Sequence, residues 1–256
     1  MALPPPLSGR AFPVNQISCV LQGAATVLRS SSPSVPSTAL ARQLSRWLPT
    51  PADATRQDVA ERLGQWLNVK ETIALHTAQA GIAAAGRSVQ PAPAAEVAAL
   101  QQRLQAELQR VRSVLTASIT ARDASHQPDP NDLDLEFALL HQRLNDQQRR
   151  MELSVDALRG HVRQQLARCS PQHAQLAALD QQMEQLFGGR EQRLLTGLPA
   201  HLKARYQTLR REAAASDTPV DLAWLRRFEG EFEQTLLAEL DLRLQPVTGL
   251  IEALDT

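Results

Sequence analysis

Histidine and cysteine are the residue types in this chain that could bind a metal ion or carry out acid–base chemistry. The chain has six histidines and two cysteines. None of the histidines belongs to an HExxH motif, and no glutamate stands three residues before any of them. A zincin needs the first pattern and a di-iron helical bundle needs the second, so neither kind of metal site is predicted. The six histidines are His76, His126, His141, His161, His173 and His201.

One group of these residues has a spacing that could bring its members together. Cys169 and His173 are four residues apart, and His161 lies about two helical turns before Cys169. These side chains could form a soft metal site across a tight turn. However, Ser170–Pro171 interrupts the helix between them, and a histidine near a helix end is more often a surface residue. We therefore predict no bound metal and no cofactor.

A glycine-rich stretch at Gly188–Arg190 is the nearest approach to a phosphate-binding loop. Such a loop needs the pattern GxxxxGK[ST] after a strand, and the sequence has neither. We interpret the two glycines as a hinge. Pairs of arginines elsewhere lie among Glu, Asp and Gln, which is typical of solvated helix faces. Because no catalytic motif is present, we predict that the protein is not an enzyme.

Composition favours long helices and argues against two classes of partner. The formal net charge is zero, so the basic surface of a nucleic-acid-binding protein is missing. No window of 18 or more apolar residues occurs, and the first 12 residues lack the pattern of a signal peptide, so we expect a cytoplasmic protein without direct membrane insertion. Aromatic residues make up only 4%, while Ala, Leu, Gln and Arg dominate, which predicts an all-α fold. Nearly every basic residue is Arg, which we interpret as a sign of a bacterial genome.

The longest predicted helix runs from Asp129 to Arg168, with Asp129 as its N-cap and Pro130 at its first position. Its apolar residues recur at alternating steps of about three and four, the period of a coiled coil. We predict that this seam is an interaction surface, buried by packing within the chain, by self-association, or by both. The seam consists of Phe137, Leu140, Leu144, Met151, Val155, Leu158, Val162 and Leu166, of which Leu144, Met151 and Leu158 are its central interaction residues.

Further long helices are predicted on both sides of this one. A stripe from Val97 to Ile119 ends before the prolines of Ser125–Pro130, and Ser170–Pro171 is read as the N-cap and first position of the next helix. The connection from the long helix to the next one is then only two or three residues long, which forces the two helices into an antiparallel hairpin. Leu176, Leu179, Met183, Leu186 and Phe187 are predicted to continue the buried seam. The helix beyond them is either one bent helix or two helices stacked around Gly197–Pro199, and Pro246 ends or kinks the last helix.

Residues 1–90 are predicted to form a separate N-terminal module of short helices, with residues 1–12 disordered, before the long-helix bundle of residues 94–256. Two similar segments, Leu40–Leu48 and Val59–Leu67, each place a Trp three residues after a Leu and would form a helical hairpin. We list Trp47 and Trp66 as candidate interaction residues, and two interpretations of them stay open. Either both fill the core of this hairpin, or at least one is exposed and docks a partner.

The stretch Arg62–Leu75 contains a QWL sequence and a downstream Ile-x-Leu, and long Leu/Gln/Arg helices follow it. This arrangement resembles an uncharacterised proteobacterial family of helical proteins, a domain of unknown function. The resemblance covers most of the chain and brings no catalytic residue with it. Members of that family are said to be encoded near MotA/TolQ/ExbB-like and OmpA-like envelope proteins. The resemblance therefore implies a soluble accessory of a membrane complex.

These observations favour a non-enzymatic helical scaffold or adaptor that uses its coiled-coil-like bundle to hold protein partners or to form a homo-oligomer. The alternative is a helical-bundle enzyme or metal-binding protein whose site is built from scattered Arg, His and Glu residues and carries no recognisable motif. Metal analysis of the purified protein discriminates between the two.

Overall fold

The computed structural model describes residues 38–47, 69–122, 126–215 and 222–255. Within these ranges the chain forms seven α-helices and no strand, which confirms the predicted all-α fold. The helices are α1 (Ala39–Ser45), α2 (Val69–Ala85), α3 (Ala94–Thr120), α4 (Leu133–Leu166), α5 (Pro171–Leu195), α6 (Leu198–Ala214) and α7 (Ala223–Glu252), and a 3₁₀ helix follows at Ala253–Asp255.

Helix α7 is the centre of the bundle, since α1, α3, α4 and α6 all pack against it. Its buried residues lie on more than one face, as expected for a helix surrounded by others. The helix continues through Pro246, so this proline does not end it. The large buried side chains of α7 are Leu225, Phe228, Phe232, Leu236, Leu240, Leu244, Val247, Leu250 and Ile251.

Helices α3 and α4 run antiparallel beside each other. Near the end of α3, the side chains of Ser118 and Gln147 are hydrogen-bonded at 3.1 and 3.2 Å. At the middle of α3, Glu107 faces His161 at 3.5 Å, close to the other end of α4. The two pairs show the antiparallel register of the helices over the second half of α3.

The predicted start of α4 at Asp129 is wrong by a few residues. The N-cap is Asp132, whose carboxylate accepts the backbone N–H of Leu135 at 3.0 Å, and the helix begins at Leu133. Asp129 instead closes the preceding turn, where its carboxylate accepts the backbone N–H of Asn131 at 2.8 Å. Two aspartates three residues apart are both suitable caps, and the turn at Asp129 decides between them.

The connection between α4 and α5 follows the prediction. Helix α4 ends at Leu166, and the hydroxyl of Ser170 accepts the backbone N–H of His173 at 3.2 Å, so Ser170 caps α5 and Pro171 is its first residue. The helices α5 and α6 are two separate helices, divided at Thr196–Gly197. Gly188 and Gly189 lie inside α5.

The two helices before residue 94 lie against the long helices. The side-chain amide of Gln43 in α1 donates hydrogen bonds to the carbonyl of Glu231 and the hydroxyl of Thr235 in α7, at 2.9 and 3.0 Å. Helix α2 packs along α5. The division into domains at residues 90 to 94 stays a prediction, and the second Trp-containing segment, 59–67, lies outside the described residues. No helix in the described part of the chain has the length and apolar character needed to span a membrane.

Candidate interaction surface

The predicted interaction residues of α4 lie in the core of the chain itself. Leu144, Met151 and Leu158 are buried in one cluster with Val155 and Val162. The helices that cover this seam are α3, α5 and α7 of the same chain. The structure thus brings the three residues together and leaves no exposed surface at them for a partner.

Trp47 is half-buried and packs against the edge of the same core. The guanidinium of Arg205 in α6 lies over its ring, 5.9 Å from the centroid, which is a cation–π contact. Arg205 is fixed by Glu231, whose two carboxylate oxygens accept hydrogen bonds of 2.7 and 2.8 Å from it. Burial alone would raise the pKa of Glu231, but the hydrogen bonds from Arg205 and Arg227 outweigh it and lower that pKa. Trp66 lies outside the described residues.

The residues considered for a soft metal site have structural roles. Cys169 is buried, burial raises the pKa of its thiol, and the thiol donates to the carbonyl of Gln165 at 3.3 Å. The ring of His173 lies between the hydroxyl of Ser170, at 2.9 Å, and the carbonyl of Ala253, at 3.1 Å, so it ties the start of α5 to the end of α7. In the ranges that the structure describes, no three His, Cys, Asp or Glu side chains are grouped closely enough to hold a metal ion.

A groove of about 780 Å³ lies between the start of α4, the first half of α7 and the loop after α3. Glu136 is buried at its floor, where one carboxylate oxygen contacts Nε2 of His126 at 2.8 Å and the other accepts the backbone N–H of Asp129 at 3.0 Å. At its wall, Arg122 and Glu233 form an ion pair of 3.1 Å. These contacts fasten the loop to α4 and to α7. Sequence reasoning missed the groove, because three separate segments line it and none of them has a local motif.

A smaller groove of about 390 Å³ borders Gly188 and Gly189. Both glycines are helical, so their backbone N–H groups point along the helix and do not form a phosphate-binding loop. Burial, together with the neighbouring carboxylates of Glu184 and Glu152, raises the pKa of Asp156 in this groove. The charged groups that line this groove therefore already interact with one another.

The prediction that α5 continues the buried seam is wrong for its two central residues. Leu179 is 40% exposed and Met183 is 41% exposed. The side of α5 that is buried carries Ala174 and Ala177 instead. Alanines allow close helix approach, and in the first half of α5 it is Ala174 and Ala177 that are buried while Leu179 and Met183 are exposed. We call Leu176, Leu179, Met183 and Leu186 the α5 stripe; Leu186 is half-buried, and Leu176 is half-buried and packs against the core.

Other large apolar side chains are exposed at separate places. Leu135 and Leu139 follow one another by a helical turn at the start of α4, and Leu139 lines the larger groove. Ile73, Val114 and Leu153 are each more than 60% exposed. Among the described helices, only α5 combines two exposed large side chains with flanking apolar residues in steps of three, four and three. The α5 stripe is therefore the candidate interaction surface.

Comparison with known proteins gives a family but no function. The family model described as "Protein of unknown function (DUF3348)" matches residues 27–256. No curated protein and no solved structure matches the chain. Since the match covers most of the chain, the protein belongs to the DUF3348 family.

Proposed function

We propose that this protein is a non-enzymatic helical scaffold or adaptor that binds a protein partner through the α5 stripe. The observation that carries the proposal is the exposure of Leu179 and Met183 in a stripe with coiled-coil spacing. Apolar side chains at such spacing are recognised by packing between the residues of a facing helix.

The burial energy available at the stripe is modest beside the roughly 4–15 kcal/mol that association costs, so a partner must also contact the surface around it. Full burial of a Leu or Met side chain contributes about 1.5–3 kcal/mol. Since Leu179 and Met183 are already more than half covered, each would gain about 1 kcal/mol, and the half-buried Leu176 and Leu186 would gain less. Binding therefore needs the whole stripe, and one charged residue inside it should abolish the contact.

The resemblance described above supports a more specific role, that of a soluble, cytoplasmic accessory of a bacterial envelope complex containing a MotA/TolQ/ExbB-like protein. The competing function is that of a helical-bundle enzyme or metal-binding protein. The larger groove is where such a site would lie, but its Glu136 carboxylate is engaged by its own loop. Stoichiometric Zn or Fe in the purified protein would favour the competing function.

Affinity capture from the producing cells, followed by mass spectrometry, tests the proposal. The double variant Leu179→Asp/Met183→Asp should lose the proteins that the unchanged chain captures. The control is Leu153→Asp, which places one aspartate at an exposed leucine of α4, outside the stripe. If the double variant folds and captures the same proteins as the control, the stripe is not a docking surface.

A further inference from the structure

We infer that residues 38–47, which contain α1, form a strap that closes over a preformed groove on α6 and α7 and opens from it while the rest of the bundle stays folded. The inference goes beyond the proposed function, because it concerns a different surface from the α5 stripe, and either can fail without the other. Three features support it: the contacts that seat the strap, the contacts that hold the groove without it, and the small size of α1.

The side chains of the strap bind particular groups of the groove. The side-chain amide of Gln43 donates hydrogen bonds to the carbonyl of Glu231 and to the hydroxyl of Thr235, at 2.9 and 3.0 Å. Thr235 is fully buried in the closed arrangement. At the end of the strap, the guanidinium of Arg205 lies over the ring of Trp47, 5.9 Å from its centroid. The strap is therefore seated by an amide on polar groups of α7 and by an aromatic ring on a cation of α6.

The groove is held together by bonds within and between α6 and α7. Both carboxylate oxygens of Glu231 in α7 accept hydrogen bonds from Arg205 in α6, at 2.7 and 2.8 Å. Arg227, one helical turn before Glu231, donates another of 3.2 Å to the same carboxylate. Within α7, the hydroxyl of Thr235 donates to the carbonyl of Glu231 at 2.7 Å. None of these bonds involves the strap, so the groove keeps its arrangement when the strap leaves.

The helix of the strap is too short to be stable on its own. It has seven residues, and isolated helices of fewer than about 12–15 residues are marginal in water. Leu40 is its one buried residue, and Leu44 and Trp47 are half-buried. Helix α7 has twelve buried residues. Elements with few buried contacts open at a lower free energy than the core. The strap therefore opens before α7 does.

Opening of the strap changes what the surface of α6 and α7 presents. The hydroxyl of Thr235 and the face of the Arg205 guanidinium that lies over Trp47 become accessible to solvent. The groove then offers a hydrogen-bonding group and a cation beside the apolar contact of Leu40. In the closed arrangement the strap hides all three, so its opening controls access to this surface.

Hydrogen exchange of the full chain, followed by mass spectrometry, tests the inference. The amides of α1 should be protected, yet they should exchange at least about tenfold faster than those of Leu236–Leu244 in α7, because local opening needs less free energy than global unfolding. Complete lack of protection in α1 would show that the strap is not closed. Equally slow exchange in α1 and α7 would show that it opens only with the whole bundle. Either result would overturn the inference.

Two alanine variants separate release of the strap from general destabilisation. Gln43→Ala removes both hydrogen bonds to α7, so exchange in α1 should become about tenfold faster, while the melting temperature and exchange in α7 stay unchanged. The matched control is Arg42→Ala at the exposed neighbouring position, since Arg and Gln have similar helix propensities. If Gln43→Ala has no larger effect on α1 than Arg42→Ala, or if it lowers the melting temperature of the whole chain, α1 is not a separately opening strap.

Discussion

Tyr206 shows how a single residue joins three helices of the bundle. Its ring contacts Phe137 of α4 and Phe228 and Trp224 of α7, at centroid distances of 5.0, 5.1 and 5.2 Å. Its hydroxyl donates a 2.6 Å hydrogen bond to the carbonyl of Leu133, the first residue of α4. Burial raises the pKa of Tyr206 to about 12. The neutral form of the phenol therefore stabilises the folded chain.

Replacing Tyr206 by Phe should remove this hydrogen bond and lower the free energy of unfolding by about 1 kcal/mol at neutral pH. The pKa of Tyr206 in the folded chain is raised above the unfolded value of 10.0. The unfolded chain therefore loses the proton first, and the stability that the phenol provides is present below pH 10 and is lost as the pH rises towards 12. Urea unfolding of both chains between pH 8 and this alkaline range measures the difference.

Tyr206 is the only tyrosine of the chain, so its ionisation can be followed directly by ultraviolet absorption. The folded chain should titrate well above pH 10. If the Tyr206 phenol of the folded chain ionised at the ordinary pKa of tyrosine, its hydroxyl would be exposed. That result would contradict the buried position of this residue.

At the scale of elements, the contact between α2 and α5 depends on a glycine. A Cβ atom on Gly86 would lie 2.5 Å from the carbonyl oxygen of Pro171 and 2.9 Å from its Cα. These are backbone atoms, so they cannot rotate away as a flexible side chain could. The end of α2 can approach the start of α5 only because residue 86 has no side chain.

Gly86→Ala should therefore destabilise the protein by about 1–3 kcal/mol, the usual cost of forcing an extra carbon into a packed contact. Gly81 in the middle of α2 is the matched control, because nothing lies within 4 Å of its Cβ position. Gly81→Ala should stabilise the chain by about 0.5–1 kcal/mol through helix propensity. Equal stability changes of the two variants in chemical unfolding would show that α2 does not pack on α5 at this point.

The positions of the helices along the chain were better predicted from the sequence than which face of each helix is buried. Apolar periodicity located α3, α4 and α7, and the Ser170–Pro171 pair marked the start of α5. Periodicity shows which residues share a face, but not which way that face points. In α5 Ala174, Ala177 and Leu195 are buried, whereas Leu179 and Met183 are exposed. Leu179 and Met183 were therefore wrongly assigned to the core.

The groove at Glu136 could not be predicted for a different reason. Its lining comes from the loop after α3, from the start of α4 and from the first half of α7. The loop and α7 are far apart along the chain, since 111 residues separate Arg122 from Glu233. His126 and Glu136 are ten residues apart, a spacing that corresponds to no helical or strand repeat. Only the loop that reverses the chain between α3 and α4 brings them into contact.

At the scale of the whole molecule, the seam of α4 should decide whether the chain folds. Leu158 is 3% exposed in the core, whereas Leu153 on the same helix is 64% exposed. Truncation of such a leucine to alanine lowers the free energy of unfolding by about 2–5 kcal/mol. Leu158→Asp should lower it further, because the substitution also buries a charge. Leu153→Asp should stay within about 0.5 kcal/mol of the unchanged chain. If thermal unfolding shows similar stability for both variants, the seam does not lie inside the chain.

The central claim is that the chain buries its seam on α4 and offers the α5 stripe to a partner, and two methionines report on the two surfaces. Met151 of the seam is fully buried, whereas Met183 of the stripe is 41% exposed. The measurement is oxidation of the folded protein by dilute hydrogen peroxide, with each sulfoxide quantified by mass spectrometry.

In dilute protein, Met183 should be oxidised several times faster than Met151. Equal oxidation rates of Met151 and Met183 in dilute folded protein would contradict the account.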